Sequence, residues 1–110
     1  MEIIITFRGM DSSPVIEEYV KRHMEKVTKF LKKEPSPIDL EVVLDASFKH
    51  HHHRAEIILK SPNYDLVSHY ECPEMYPSIE KAIEKMAQEI SKAKGKRIDF
   101  RKKGDTFKGA

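Results

Sequence analysis

Residues 38–71 read IDLEVVLDASFKHHHHRAEIILKSPNYDLVSHYE, and the way this stretch divides decides the fold. Its first part, IDLEVVLDA, sets Ile38, Leu40, Val42 and Leu44 on one side and Asp39, Glu41 and Asp45 on the other. That is the period-two alternation of a half-buried strand. RAEIILK repeats the pattern, with Ala55, Ile57 and Leu59 opposed to Glu56 and Lys60. After the turn signal SPN, YDLVSHYE reads as a third, less regular strand.

The flanks supply what these strands pack against. EIIITFR at residues 2–8 is rich in β-branched residues and reads as another strand. Gly9 breaks it, Ser12 or Ser13 offers an N-cap, and Pro14 suits a first helical position. Val15, Ile16, Tyr19, Val20, Met24, Val27, Phe30 and Leu31 then recur at helical spacing. This predicts a helix to about Lys33, stopped by Pro35 and Pro37. A second helix opens in CPEMYP, where Pro77 is tolerated because first-turn amides lack partners. It carries Met75, Ile79, Ile83, Met86 and Ile90 on one face and is predicted to end at Gly95. The expected fold is α+β, in the order β-α-β-β-β-α, a four-stranded sheet with both helices packed on one face. Residues 1–95 form the expected domain and 96–110 a basic flexible tail.

The chain has 110 residues, 39% apolar and 35% charged, the composition of one soluble globular domain. No apolar run approaches the roughly 20 residues that cross a bilayer, and the N-terminus has no signal-peptide pattern. Cys72 is the only cysteine, which excludes an internal disulfide and fits a reducing cytoplasm. The net charge of +2 is uneven: residues 94–110 hold seven basic residues against two acidic ones, leaving 13 basic and 16 acidic before them. Attraction to a polyanion must therefore come from where charges sit.

His50 to His53 fall between the second and third strands. Adjacent strand residues point to opposite faces, so only alternate histidines could share an ion, and no Cys or Asp lies within two residues of the run. An internal run of four also differs from a terminal tag. A polar hairpin rim that gains charge as pH falls is the expected reading. His52 with Arg54 offers an auxiliary RNA contact, and no metal site is expected.

On a wheel of about 100° per residue, Arg22, Lys26, Lys29 and Lys33 fall within roughly 60° of one another. Lys81, Lys85, Lys92 and Lys96 do the same on the second helix. A solvated helix face is the ordinary explanation for either stripe alone. Two stripes of one sign in an acidic-leaning domain instead suit a phosphate backbone. The sequence shows no exposed aromatic cluster among these lysines, so recognition of folded RNA by shape and phosphate is expected before base stacking. There is no G-x-S-x-G, P-loop, H-E-x-x-H or glycine-rich nucleotide turn, so neither an enzyme, nor a cofactor, nor a small-molecule substrate is expected.

EMYPSIEKAIEKMAQEISK, residues 74–92, resembles the D-M-Y-x-A-I-D-x-x-x-x-K-L-E-R-Q motif of the ribosome hibernation-promoting factors, also called protein Y or the ribosome-associated inhibitor. IIITFRGMDSSPVIEEYVKRHMEKVTKFL looks like that family's first strand, turn and helix, and HRAEIIL like its third strand. The likeness spans roughly residues 1 to 96. It implies a fold like the double-stranded RNA-binding domain. It also implies binding in the decoding channel of the small ribosomal subunit, against ribosomal RNA, in the cytoplasm, with messenger and transfer RNA excluded. By position it implies contacts from Lys26, Lys29, Lys85 and Lys92, with His23 where the family has a basic residue. Arg97 would be a further auxiliary contact. Gln88 and Glu89 stand in place of the motif's Arg and Gln, Glu74 replaces its Asp, and Pro77 is unusual. A general double-stranded RNA binder and a metal-responsive interaction module centred on the histidines are the alternatives.

Overall fold

Alternation along four strands produces one sheet with two unlike faces. The computed structural model describes residues 1–48 and 52–108, with side chains described for 1–46 and 52–96. Strand β1 (Glu2–Arg8) pairs in parallel with β2 (Asp39–Phe48), bringing Ile3, Ile5 and Phe7 beside Leu40, Val42 and Leu44. Strand β3 (His52–Lys60) runs antiparallel to β2 and aligns Leu59, Ile57 and Ala55 with the same three β2 residues. Strand β4 (Asp65–Cys72) completes the order β1-β2-β3-β4 and adds Leu66, Ser68 and Tyr70 to that face. Between Asp45 and Phe48 the register shifts, so β2 carries an irregularity as it nears the histidine run.

The opposite residues of each ladder form the open face. Seven carboxylates stand there, those of Glu2, Asp39, Glu41, Asp45, Glu56, Asp65 and Glu71, against Arg8, Arg54 and Lys60. Ile4 and Val67, 56% and 52% exposed, share this face.

All helical packing is on the apolar face. Gly9, at a φ of 68°, makes the turn out of β1 in a conformation other residues adopt at a cost. Helix α1 (Pro14–His23) starts where the Ser13 hydroxyl accepts the Ile16 amide at 3.3 Å, with Pro14 at the first position, as the sequence predicts. One continuous helix to Lys33 is not formed. Met24 separates α1 from the short α2 (Glu25–Thr28), and Phe30, Leu31 and Glu34 donate to carbonyls three residues back. Those bonds are of the tighter three-residue turn. Val20, Met24, Val27 and Leu31 all remain buried, so the tightened chain keeps its apolar side on the sheet.

Helix α3 (Met75–Lys108) buries Ile79, Ala82, Ile83, Met86 and Ile90. The expected stop at Gly95 is corrected: the backbone stays helical through it and through most of the segment expected to be a tail. A Cβ at Gly95 would meet nothing within 4 Å, and Gly9 is the one glycine of positive φ among the described residues. A glycine inside a helix costs roughly 1 kcal/mol relative to alanine, a penalty too small to end it. Two buried hydroxyls pin α3 to the sheet. Ser68 donates to the Ala82 carbonyl at 2.8 Å. Ser78 lies 2.8 Å from the carbonyls of both His53 and Glu74, with the Cys72 thiol 3.1 Å from its oxygen.

Candidate nucleic-acid interface

The basic residues predicted on the first helix all stand in solvent: Arg22, Lys26, Lys29 and Lys33 are exposed. The chain after Met24 mixes four-residue turns, the Lys29 amide still donating to the Glu25 carbonyl at 3.1 Å, with three-residue ones. Residues three apart nearly eclipse one another in such turns, and Lys26, Lys29 and Lys32 have that spacing. These three, with Glu25 and Thr28, line a groove of about 570 Å³. On an ideal α-helical wheel Lys32 lies about 60° beyond Lys29, just outside the ridge, and sequence reasoning missed it. Lys29 Nζ also lies 5.3 Å from the Phe30 ring centroid, which steadies its stem by a cation–π contact.

The second row is less free than the first. Lys81, Lys85, Lys92 and Lys96 are exposed, but two of them have partners. Lys81 pairs with Glu84 at 3.6 Å, an exposed bridge of little energetic weight. Lys85 Nζ donates to the backbone carbonyl of His69 at 3.1 Å and lies 5.6 Å from the Tyr70 ring centroid. It thus ties α3 to the edge strand β4. Beside it Val67, Ser68, His69, Gln88, Glu89 and Lys92 complete a groove of about 300 Å³. The two lysine rows border separate grooves and share no lining residue.

Aromatic rings fill the seam where α1 meets α3. The Tyr19 phenol donates to Glu80 Oε1 at 2.5 Å. Its ring lies 4.2 Å from that of His23 and 4.6 Å from that of Tyr76, edge to face with the latter at 79°. Burial in the seam, then the bond to the Glu80 carboxylate and its charge, push the Tyr19 phenol up to about 12. Tyr76 remains 41% exposed. It is a single exposed ring at the seam, not the aromatic cluster that the sequence reading finds absent among the lysines. Tyr19 and Tyr76 are distant in sequence, and only packing of α1 on α3 joins them.

The auxiliary contacts are not gathered here. His52 and His53, expected between the strands, instead open β3. His52 and Arg54 lie on the alternation that faces away from the helices, and Arg54 pairs with Glu56 at 3.3 Å. His23 does join the seam. His50, His51 and the side chain of Arg97 lie outside the described residues. Among the described residues no group of three potential metal ligands is close enough to hold an ion, and no helix is long and apolar enough to cross a membrane.

The family described as sigma 54 modulation protein / S30EA ribosomal protein matches residues 3–98. Two solved structures share the fold. The protein Y N-terminal domain of Thermus thermophilus is 19% identical with a TM-score of 0.65, over 82% of this chain and 93% of that one. A ribosomal subunit interface protein from Coxiella burnetii is 19% identical with a TM-score of 0.69, over 86% of this chain and 99% of that one. No curated protein matches the sequence.

Proposed function

The chain belongs to the sigma 54 modulation protein / S30EA ribosomal protein family, and from that membership we propose that it is a ribosome-associated translation inhibitor of the hibernation type. It acts in the cytoplasm by occupying the decoding channel of the small subunit, against ribosomal RNA, so that messenger and transfer RNA cannot enter. The observation that carries this reading is the pair of exposed lysine rows on one helical layer, which suits two stretches of phosphate backbone. Lysine meets phosphate as a point charge, without the planar fork of arginine, so it favours backbone over base edges. Nothing in this action requires chemistry: the bulk of the domain displaces the competing RNAs, and the lysines hold it in place.

Co-sedimentation with purified small subunits and whole ribosomes, at low and high salt, tests the reading. Stoichiometric binding that weakens steeply with salt and is opposed by transfer RNA is expected, because each phosphate contact releases counterions. Binding that plain duplex RNA competes away as well as transfer RNA does would overturn it in favour of a general double-stranded RNA binder.

A further inference from the structure

We propose that Tyr76 is a stacking platform for one unpaired base of the bound RNA. This rests on the ribosomal reading above and adds a recognition element that the lysine rows lack. Tyr76 is a large aromatic residue left 41% exposed in the first turn of α3, on the layer that carries the cationic rows. Its neighbour Tyr19 meets it edge to face at 79°. That geometry leaves at least one face of the Tyr76 ring uncovered by Tyr19. Tyr19 cannot easily swing aside, since Glu80 holds its hydroxyl and His23 lies against its ring. The platform is therefore formed before any ligand arrives, and stacking on it costs little further ordering.

The layer on which the ring stands selects the ligand. The nearest charge at the seam is the Glu80 carboxylate, bound by Tyr19, but the exposed side of the same helical layer carries both lysine rows. An aromatic face on such a layer suits a molecule with both a planar π surface and phosphates, which describes a nucleotide within a strand. A fully paired helix hides its base faces, so the partner must present a base that is bulged, flipped or single-stranded. Lysines of the two rows would meet phosphates elsewhere along the strand, while the ring takes the base irrespective of its identity.

The test uses two RNA hairpins of equal length and charge, one fully paired and one with a single bulged 2-aminopurine, whose emission falls on stacking. The wild-type chain is expected to prefer the bulged hairpin by on the order of ten-fold and to quench its emission. Tyr76→Leu keeps apolar bulk against Tyr19 but has no aromatic face. It should lose the preference and the quench while binding the paired hairpin with unchanged affinity and salt dependence. Tyr76→Phe should keep both. Wild-type binding without preference or quench, or a quench that survives in Tyr76→Leu, overturns the platform alone. Failure to bind either hairpin or ribosomes overturns the platform together with the ribosomal reading.

Discussion

Tyr19 and Glu80 join the first and last helices through one short hydrogen bond, the phenol donating to Oε1 at 2.5 Å. Because the Tyr19 pKa is raised above the ordinary tyrosine value of 10.0 to about 12, the protonated form is the one the fold favours. The resulting stability is complete below pH 10 and is lost as pH rises through about 12. An alkaline titration followed by tyrosinate absorbance should show a late ionisation step that is missing in Tyr19→Phe. That variant should also lose about 1 kcal/mol of stability at neutral pH. An alkaline titration curve that Tyr19→Phe leaves unchanged above pH 10 would contradict the seam.

Ser78 is fully buried and its hydroxyl faces two carbonyls. Ser78→Ala should cost about 1–3 kcal/mol in urea denaturation, because the His53 carbonyl loses its contact with the Ser78 hydroxyl. Ser78→Cys, which keeps a weak donor, should cost less. Equal losses for the two would mean that packing, rather than the hydrogen bond, sets the effect.

Lys26, Lys29 and Lys32 line one groove. If each meets one phosphate, replacing all three by Gln should flatten the log–log dependence of ribosome affinity on salt by up to roughly 0.9 per lysine. Lys32→Gln alone tests the groove: it should have an effect comparable to Lys29→Gln, and a silent replacement would mean that the groove is not the contact surface.

Lys85 and Lys92 should part company despite sharing a predicted stripe. Lys92→Glu is expected to weaken ribosome binding with stability unchanged. Lys85→Glu should do both, since it also releases the His69 carbonyl and the Tyr70 ring. Thermal unfolding of the two variants, set beside co-sedimentation, reads the difference directly.

Gly95→Ala should raise helicity by circular dichroism and leave binding intact, because the position is helical, exposed and open to a Cβ. A loss of helicity would restore Gly95 as a helix terminus.

The strands were legible because their alternation is enforced by burial on one face, and Leu40, Val42 and Leu44 announce that face without help from tertiary structure. The helix starts were legible for a similar reason: Ser13 and Pro14 act on their own backbone. The break at Met24 was not. Val20, Met24, Val27 and Leu31 are spaced as well for a continuous helix as for a tightened one, so the pattern carries no sign of the change. Gly95 misled because a weak local preference was read as a stop. Exposure of the lysines could be foreseen from the wheel. Their partners could not, since Lys85 meets His69 and Tyr19 meets Tyr76 only after helices and sheet are assembled.

The open face of the sheet, with its seven carboxylates against three cations, has a kinetic meaning. The helices carry carboxylates too, such as Glu17, Glu25, Glu84 and Glu89. Their lysines outnumber these while acids prevail on the open sheet face, so the molecule is an electric dipole on which a polyanion exerts a torque before any contact. If the lysine rows are the side that meets RNA, collisions that arrive sheet-first are repelled and the molecule turns over during approach, so a larger share of encounters begins in the binding orientation. The acids would then govern how quickly the protein lands, while the lysines govern how long it stays.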